Sequence, residues 1–411
     1  KPVLFDASMQ FLTSCAAMST DSPPLVNRFQ IGFRSFSRPA PNGFTLVEVM
    51  TALAISLFLL LGVTYVYTGS KQTYRSNASL SRMQENGRLA IEYLTQDLQM
   101  AGNFGCATGI INTNYGKCST SPANKLNNLL ATPDGSFAHD FRHPIEGYDG
   151  EKAVTNASPG TDSDDFDPDL ATTGAPTTAL ANSDVVIVRG ARPLGKTVTA
   201  QASGTADIVI SATHNLAAND VTLVADCQSA GVFTATSITT TSTTTTISHA
   251  QASGKNACAD LGKPYVGGEV LKAFSRAYYI ATDPATGLRA LYRREVGGTD
   301  QLLVPGVENM QLKYGLAGNM EGYPTDYLTA GDVQGEICND KAIGGTSTGD
   351  PWDCVKSVRI ELLLVSAEDR LTTAAQTVWF DGSDFTPADS RLRLVMTATI
   401  GVRNRLLQSQ K

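Results

Sequence analysis

FTLVEVMTALAISLFLLLGVTYVY, residues 44–67, is the stretch whose reading decides the fold. Coiled as an α-helix at about 1.5 Å per residue it reaches about 36 Å, enough to cross the hydrocarbon core of a bilayer. No second apolar run of that length occurs in the chain. Arg28, Arg34 and Arg38 precede it, and Lys71, Arg75 and Arg82 follow it. Basic residues on the N-terminal side favour keeping that side in the cytoplasm, but with cations on both flanks the charge bias alone does not decide. One carboxylate, Glu48, sits near the start of the run. An ionised group in hydrocarbon is costly unless it is paired or reaches the headgroup layer. Were the chain cut between Gly43 and Phe44, Phe44 would carry a free α-amino group. In a helical stack, the α-amine of another subunit could then pair with Glu48.

The hexapeptide Gly43-Phe44-Thr45-Leu46-Val47-Glu48, with basic residues before it and an apolar helix after, resembles the cleavage and methylation signature of type IV prepilins. The resemblance implies that a prepilin peptidase cuts after Gly43 on the cytoplasmic side and methylates the new N-terminal Phe44. It implies that Glu48 guides docking into a growing filament. Residues 1–43 would then be a leader. The chain departs from the family in the length of that leader and in the distance of Arg38 from the cut; Met9 and Met18 are both candidate starts, and Met18 shortens it. An ordinary secretory signal fits less well, because no small-x-small site follows the apolar run.

Beyond Gly69 the chain continues from Ser70 to Met100 without a Pro. Leu80, Met83, Gly87, Ile91, Leu94 and Leu98 recur at three- and four-residue steps, the spacing of one buried helix face. Arg88 and Glu92 can pair on the exposed face, and Ala101-Gly102-Asn103 reads as a stop. The expectation is one helix over 44–101, with a membrane or filament-core half at 44–67 and an amphipathic half at 68–101. The stretches SKQTYR (70–75) and LSRMQENGRLAIEYLTQDL (80–98) resemble the PilW branch of minor pilins, as do NMQLKYG (309–315), VRIELLL (358–364) and Arg403-Asn404-Arg405. That branch implies a minor pilin working with other minor pilins and the major pilin in initiating a pilus, in support of motility or adhesion. It implies a single-pass inner-membrane protein with a periplasmic C-terminal domain that later reaches the cell surface in the pilus.

From about residue 102 short β-branched runs alternate with Gly, Pro, Asn and Asp turns. Strands are expected at 184–189, 207–210, 221–224, 277–280, 288–293, 307–314, 355–365 and 392–403, with a hairpin turn at Asp283–Gly287. The nearly all-Thr/Ser segment 236–246 fits an exposed strand and a loop equally well. The fold class is α+β, pilin-like: a long helix laid on an antiparallel sheet within a globular domain at 102–411, elaborated by a β-rich insertion.

Of the seven Cys, Cys15 falls in the expected leader; Cys106, Cys118, Cys227, Cys258, Cys338 and Cys354 remain. An even number on the exported side reads as disulfides. Sequence order favours the local pairs 106–118, 227–258 and 338–354, one of about 15 connectivities open to six Cys. Zinc is the alternative, without a Cys-x-x-Cys pair to support it. His139 and His143 stand four apart but are followed by Pro144, which favours a loop over a metal-ligand pair; His214 and His249 are isolated. The acidic run Asp162–Asp169 has calcium-type oxygen ligands but lacks the Gly and closing Glu of an EF-hand, so a solvated loop is the expectation.

No Gly-x-Ser-x-Gly elbow, P-loop or dinucleotide fingerprint appears, and the reading is of a non-enzyme without cofactor or metal. The net charge is −7, and about −9 once four basic and two acidic leader residues are removed, so nucleic acid is not an expected partner. The alternatives are a type II secretion pseudopilin, which shares the N-terminal signature, and a membrane-anchored exported enzyme or adhesin.

Overall fold

A computed structural model of the chain describes residues 43–107, 115–120, 126–131, 139–150, 166–167, 178–212, 214–295, 298–317, 326–336 and 351–406, with residues 176, 323–324, 338–339 and 348–349 between them. The chain divides into two units, the first ending at Tyr65 and the second starting at Val66. Helix α1 runs without interruption over Leu46–Met100, close to the expected 44–101. It ends where the sequence places its stop. Gly102 takes φ +66°, a left-handed conformation that suits Gly, and its N–H leaves the helix to bond the carbonyl of Arg189 at 2.9 Å.

The elements after α1 are, in chain order, β1 Tyr115–Lys117, β2 Leu126–Asn128, β3 Ile145–Gly150, β4 Phe166–Asp167, β5 Val185–Thr197, β6 Ile208–Ser211, β7 Val221–Ala225, β8 Ala230–Thr234, β9 Ser237–Thr240, β10 Thr244–Ser248, β11 Glu269–Thr282, β12 Arg289–Glu295, β13 Gln301–Pro305, β14 Val307–Leu316, β15 Asp326–Leu328, α2 Ala330–Gly335, β16 Cys338–Asn339, β17 Thr348–Gly349, β18 Val355–Val365, β19 Val378–Phe380, β20 Ser383–Phe385, β21 Arg393–Gly401 and α3 Arg403–Leu406. This is an α+β architecture with a long N-terminal helix and a large, mostly antiparallel β domain.

A large sheet has the order β1-β2-β8-β7-β11-β5-β3-β4, with β12 and β13 continuing from β11. Its pairs β1–β2 and β2–β8 are parallel. A second sheet has the order β15-β14-β18-β21. Here the alternation of strand side chains reads cleanly. Met310 faces Leu362, Leu312 faces Ile360 and Tyr314 faces Val358, all in the core, while Lys313–Arg359 and Gln311–Glu361 lie on the opposite face. The Thr/Ser segment forms the hairpin β9–β10, which pairs onto β6; Thr245 and Ile247 are buried, so alternation also governs this stretch.

The second half of α1 packs into the core made by both sheets. Its buried positions are Ser79, Met83, Gly87, Ala90, Leu94, Asp97 and Leu98, and Leu94 and Leu98 are fully covered. Each such Leu contributes about 1.5–3 kcal/mol by burial. Leu80 and Ile91, expected on this face, are only partly buried, and the small residues Ser79 and Ala90 beside them are the buried ones. Small residues let the helix approach closely. A Cβ on Gly87 would overlap Met396 Sδ of β21 and Leu364 Cδ1 of β18.

Asp97 is the anomaly of this face, a carboxylate 1% exposed. Arg276 of β11 donates to its Oδ1 and Oδ2 at 2.9 and 3.0 Å, Arg192 of β5 donates to Oδ1 at 3.0 Å, and the Tyr278 hydroxyl donates to Oδ2 at 2.5 Å. Burial and the facing carboxylate push the Tyr278 phenol well above its ordinary range. Arg276 stacks over the Phe274 ring and also meets Glu295 at 3.3 Å.

A buried pair broken on one side leaves the other charge uncompensated. Asp97→Ala should destabilise the second unit by roughly 3–5 kcal/mol. Asp97→Asn, which keeps the shape and a partner for Tyr278, should lie between it and the wild type. Urea unfolding of the detergent-solubilised chain checks this; equal midpoints for wild type and Asp97→Ala would show that the cluster does not hold the helix.

Candidate functional site

Gly43 and Phe44 lie in chain just ahead of the helix, and Phe44 is 85% exposed. A Cβ on Gly43 would meet nothing within 4 Å, and its φ is not in the left-handed region. The fold therefore places no demand for Gly at this position.

Helix α1 starts with a reciprocal cap. The Thr45 N–H and the Thr45 hydroxyl both donate to Glu48 Oε2 at 2.9 Å, and the Glu48 N–H donates back to Thr45 Oγ1 at 3.3 Å. This is a capping box: the first-turn N–H groups, which have no carbonyl partners within the helix, are satisfied by side chains three residues apart. The Thr-x-x-Glu signal for it stands at residues 45–48 and was not read from the sequence. It engages Oε2 and leaves Oε1 without a donor among the described residues.

Three hydroxyls of the apolar half close on the helix itself. Thr51 Oγ1 donates to the Val47 carbonyl at 2.9 Å, Ser56 Oγ to the Ala52 carbonyl at 2.7 Å and Thr64 Oγ1 to the Leu60 carbonyl at 2.7 Å. Such back-bonding removes hydroxyls from a surface that must meet an apolar medium. That surface is uncovered: Leu53, Ile55, Leu57, Phe58 and Leu61 are all more than half exposed. Among the described residues, this is the one helix long and apolar enough to cross a membrane.

The disulfides correct the expectation of local pairs. Cys106 is joined to Cys227 and Cys118 to Cys258, with Cα–Cα distances of 4.7 and 5.9 Å. The reason is the sheet. β1 pairs parallel with β2, and β2 pairs parallel with β8, which draws this part of the chain to strands distant in sequence, so Cys106 and Cys118 each bond a partner more than a hundred residues away. With these four Cys bonded in pairs, none is a zinc thiolate. Cys354 is also in a disulfide; the side chain of Cys338, its expected partner, lies outside the described residues.

His139 and His143 sit in a loop. Burial and the nearby Arg189 charge hold the His139 imidazole below its ordinary pKa. His214 Nδ1 accepts from the Leu216 N–H at 3.0 Å, and His249 Nε2 meets the Ala206 carbonyl at 2.9 Å. Of the acidic run, only Phe166 and Asp167 are described, in β4; the other Asp residues lie outside the described residues. Among the described residues no group of three His, Cys, Asp or Glu is placed to hold a metal ion.

Two family models match the chain. One, described as Type IV Pilus-assembly protein W, matches residues 277–404, and the other, the Prokaryotic N-terminal methylation motif, matches residues 38–64. The first match runs from the second half of β11 to α3 and takes in the sheet β15-β14-β18-β21; the second spans the Gly43–Phe44 bond and the capping box. The chain is also similar to "Pilin-like protein PilA3" of Thermus thermophilus, 29% identical over 134 residues, which is 30% of this chain and 57% of that relative's length. No solved structure matches.

Non-reducing peptide mapping should recover Cys106 joined to Cys227 and Cys118 joined to Cys258. Cys227→Ser should free the Cys106 thiol and leave Cys258 bonded, whereas a freed Cys258 would restore the local pairing. Loops of this length confer about 4–5 kcal/mol on the chain-entropy account, more than short local loops.

Proposed function

We propose that this PilW-like, pilin-like chain is a minor subunit of a type IV pilus that helps to initiate its assembly. The observation that carries the reading is the N-terminal half of α1. It is an apolar helix that none of the described residues covers, it opens on a Gly43–Phe44 bond within a prepilin-type methylation motif, and it bears one carboxylate in its first turn. Such a surface needs lipid before assembly and neighbouring helices after it. On this reading a prepilin peptidase cuts after Gly43 and methylates Phe44, the chain waits in the inner membrane with its β domain in the periplasm, and other pilins are its partners. The chain acts as a structural subunit, and its chemistry is done to it by the peptidase. A compact pseudopilin fits less well, because strands β1 to β10 and both described disulfides lie ahead of the family match that begins at residue 277.

Since the fold leaves room for a side chain at Gly43, Gly43→Arg should fold normally and accumulate as uncut precursor. A chain beginning at Phe44 from that variant, seen by N-terminal sequencing, would remove the assignment of the cleavage site.

Glu48 carries the assembly step. Its Oε1 can take the α-amine of a neighbouring subunit while Oε2 keeps the cap. Glu48→Ala loses the charge and the Glu48 half of the capping box, while the bond from the residue-48 N–H to Thr45 Oγ1 remains. Glu48→Gln can keep the capping box and loses only the charge. Both should reach the membrane normally and fall sharply in sheared pili at equal membrane level. Wild-type incorporation of Glu48→Gln would show that the carboxylate serves only to start the helix.

A further inference from the structure

The large sheet contains a notch. On one edge of β11, β7 pairs with Glu269–Lys272 and β12 pairs with Arg276–Thr282. The two strands part across the intervening residues 273–275, while β5 pairs continuously along the other edge. The four steps from Lys272 to Arg276 open a gap of about 13 Å. A cavity of about 580 Å³ fills it, within the usual range of about 300–1,000 Å³ for small-molecule sites.

The polar groups around this cavity come from separate segments and are incompletely used by the protein. His139 Nδ1 is buried and has no hydrogen-bond partner among the described residues. Asp220 Oδ2 accepts from Lys272 Nζ at 2.7 Å and from the Ala217 N–H at 2.8 Å, and its Oδ1 has no donor among the described residues. Asn219, held at φ +73°, brings a side-chain amide with no partner among the described residues to the same rim. Lys255 contributes an ammonium with no carboxylate partner among the described residues. The floor, from Ala273 and Phe141, is apolar.

We propose that this notch binds a hexuronic-acid sugar. The carboxylate of such a sugar meets Lys255. Neighbouring ring hydroxyls need an acceptor and a donor side by side, which the Asp220–Lys272 pair supplies, and Asn219 and His139 Nδ1 take the remaining hydroxyls. The C–H face of the ring lies on the apolar floor. A phosphate dianion suits the site poorly, because Asp220 and Glu295 both line it and leave a single unbalanced cation. A wholly apolar ligand would strand the charged rim without water.

Binding is measured on the unassembled full chain in detergent, so its result is separate from the fate of the pilus reading. Titration calorimetry and ligand-observed NMR use glucuronate, glucose and inorganic phosphate as probes. Glucuronate should bind saturably and more tightly than glucose. Lys255→Ala, in a surface turn, should weaken glucuronate about tenfold, the value of one charge-assisted hydrogen bond, and leave glucose unchanged. Asp220→Asn should weaken both sugars without moving the unfolding midpoint. Absence of saturable sugar binding, phosphate binding as tight as glucuronate, or an unchanged glucuronate affinity in Lys255→Ala would each overturn the proposal.

Discussion

The β domain is organised around one buried carboxylate. Asp97, near the end of α1, is the point where two guanidiniums and a phenol from β5 and β11 converge on the helix. An aspartate without partners at this depth would cost several kcal/mol, so the helix can dock in only one register, the one that brings Asp97 between Arg192 and Arg276. The periodicity of Met83, Gly87, Ala90 and Leu94 does not by itself single out one register, since these positions recur at near-equal steps. The charge cluster removes that freedom. Gly87 adds to the constraint, because only the side-chain-free position can sit against Met396 and Leu364.

From that docking the rest of the globular unit follows. The chain leaves α1 by the Gly102 bond to Arg189, and the Ala191 N–H returns to the Asn103 carbonyl at 2.9 Å, so the exit is stitched to the same β5 that carries Arg192. Just ahead of β5, Asp184 is buried and accepts from the Gly150 N–H at 3.0 Å and the Leu312 N–H at 2.6 Å, which ties β3 and β5 to β14. Burial and the neighbouring Asp149 raise its carboxyl well above the ordinary range. The two sheets are thus joined by polar contacts whose geometry is fixed, as well as by a shared apolar core.

What could be read in advance was what is local. The helix, its stop, the turn at Asp283–Gly287 and the whole of β18 follow from periodicity and turn residues within a few positions of each other. β8, AGVFT, and β3, IEGYDG, carry too few β-branched residues to announce themselves, and their burial comes from neighbours distant in sequence. The crossed disulfides depend on the parallel pairing of β2 with β8, a contact with no local signature. Asp97 was legible in principle, as an acid falling on the buried face three residues after Leu94. Its partners were not, because Arg192 and Arg276 lie on strands whose order the sequence does not reveal. The Gly43–Glu48 motif needs only neighbouring residues, and so was visible at once. The notch in the large sheet draws on six separate segments and was invisible.

The two halves of α1 solve opposite problems. The docked half is specific because its polar group is buried and must be matched. The apolar half has the hydroxyls of Thr51, Ser56 and Thr64 folded onto its own carbonyls and its first N–H groups closed by Thr45 and Glu48, so its sides ahead of Tyr65 present almost nothing that distinguishes lipid from protein. On the proposed reading, leaving the bilayer for a bundle of like helices would exchange one apolar surround for another, at small net cost. A surface that does not discriminate cannot set the axial position of a subunit among its neighbours. In the first turn of that half the remaining polar valence among the described residues is Glu48 Oε1, one turn from the point where Phe44 would bear a new amine. A charge that is costly in hydrocarbon unless it finds a fixed partner is the kind of group that can convert a sliding contact into a registered one.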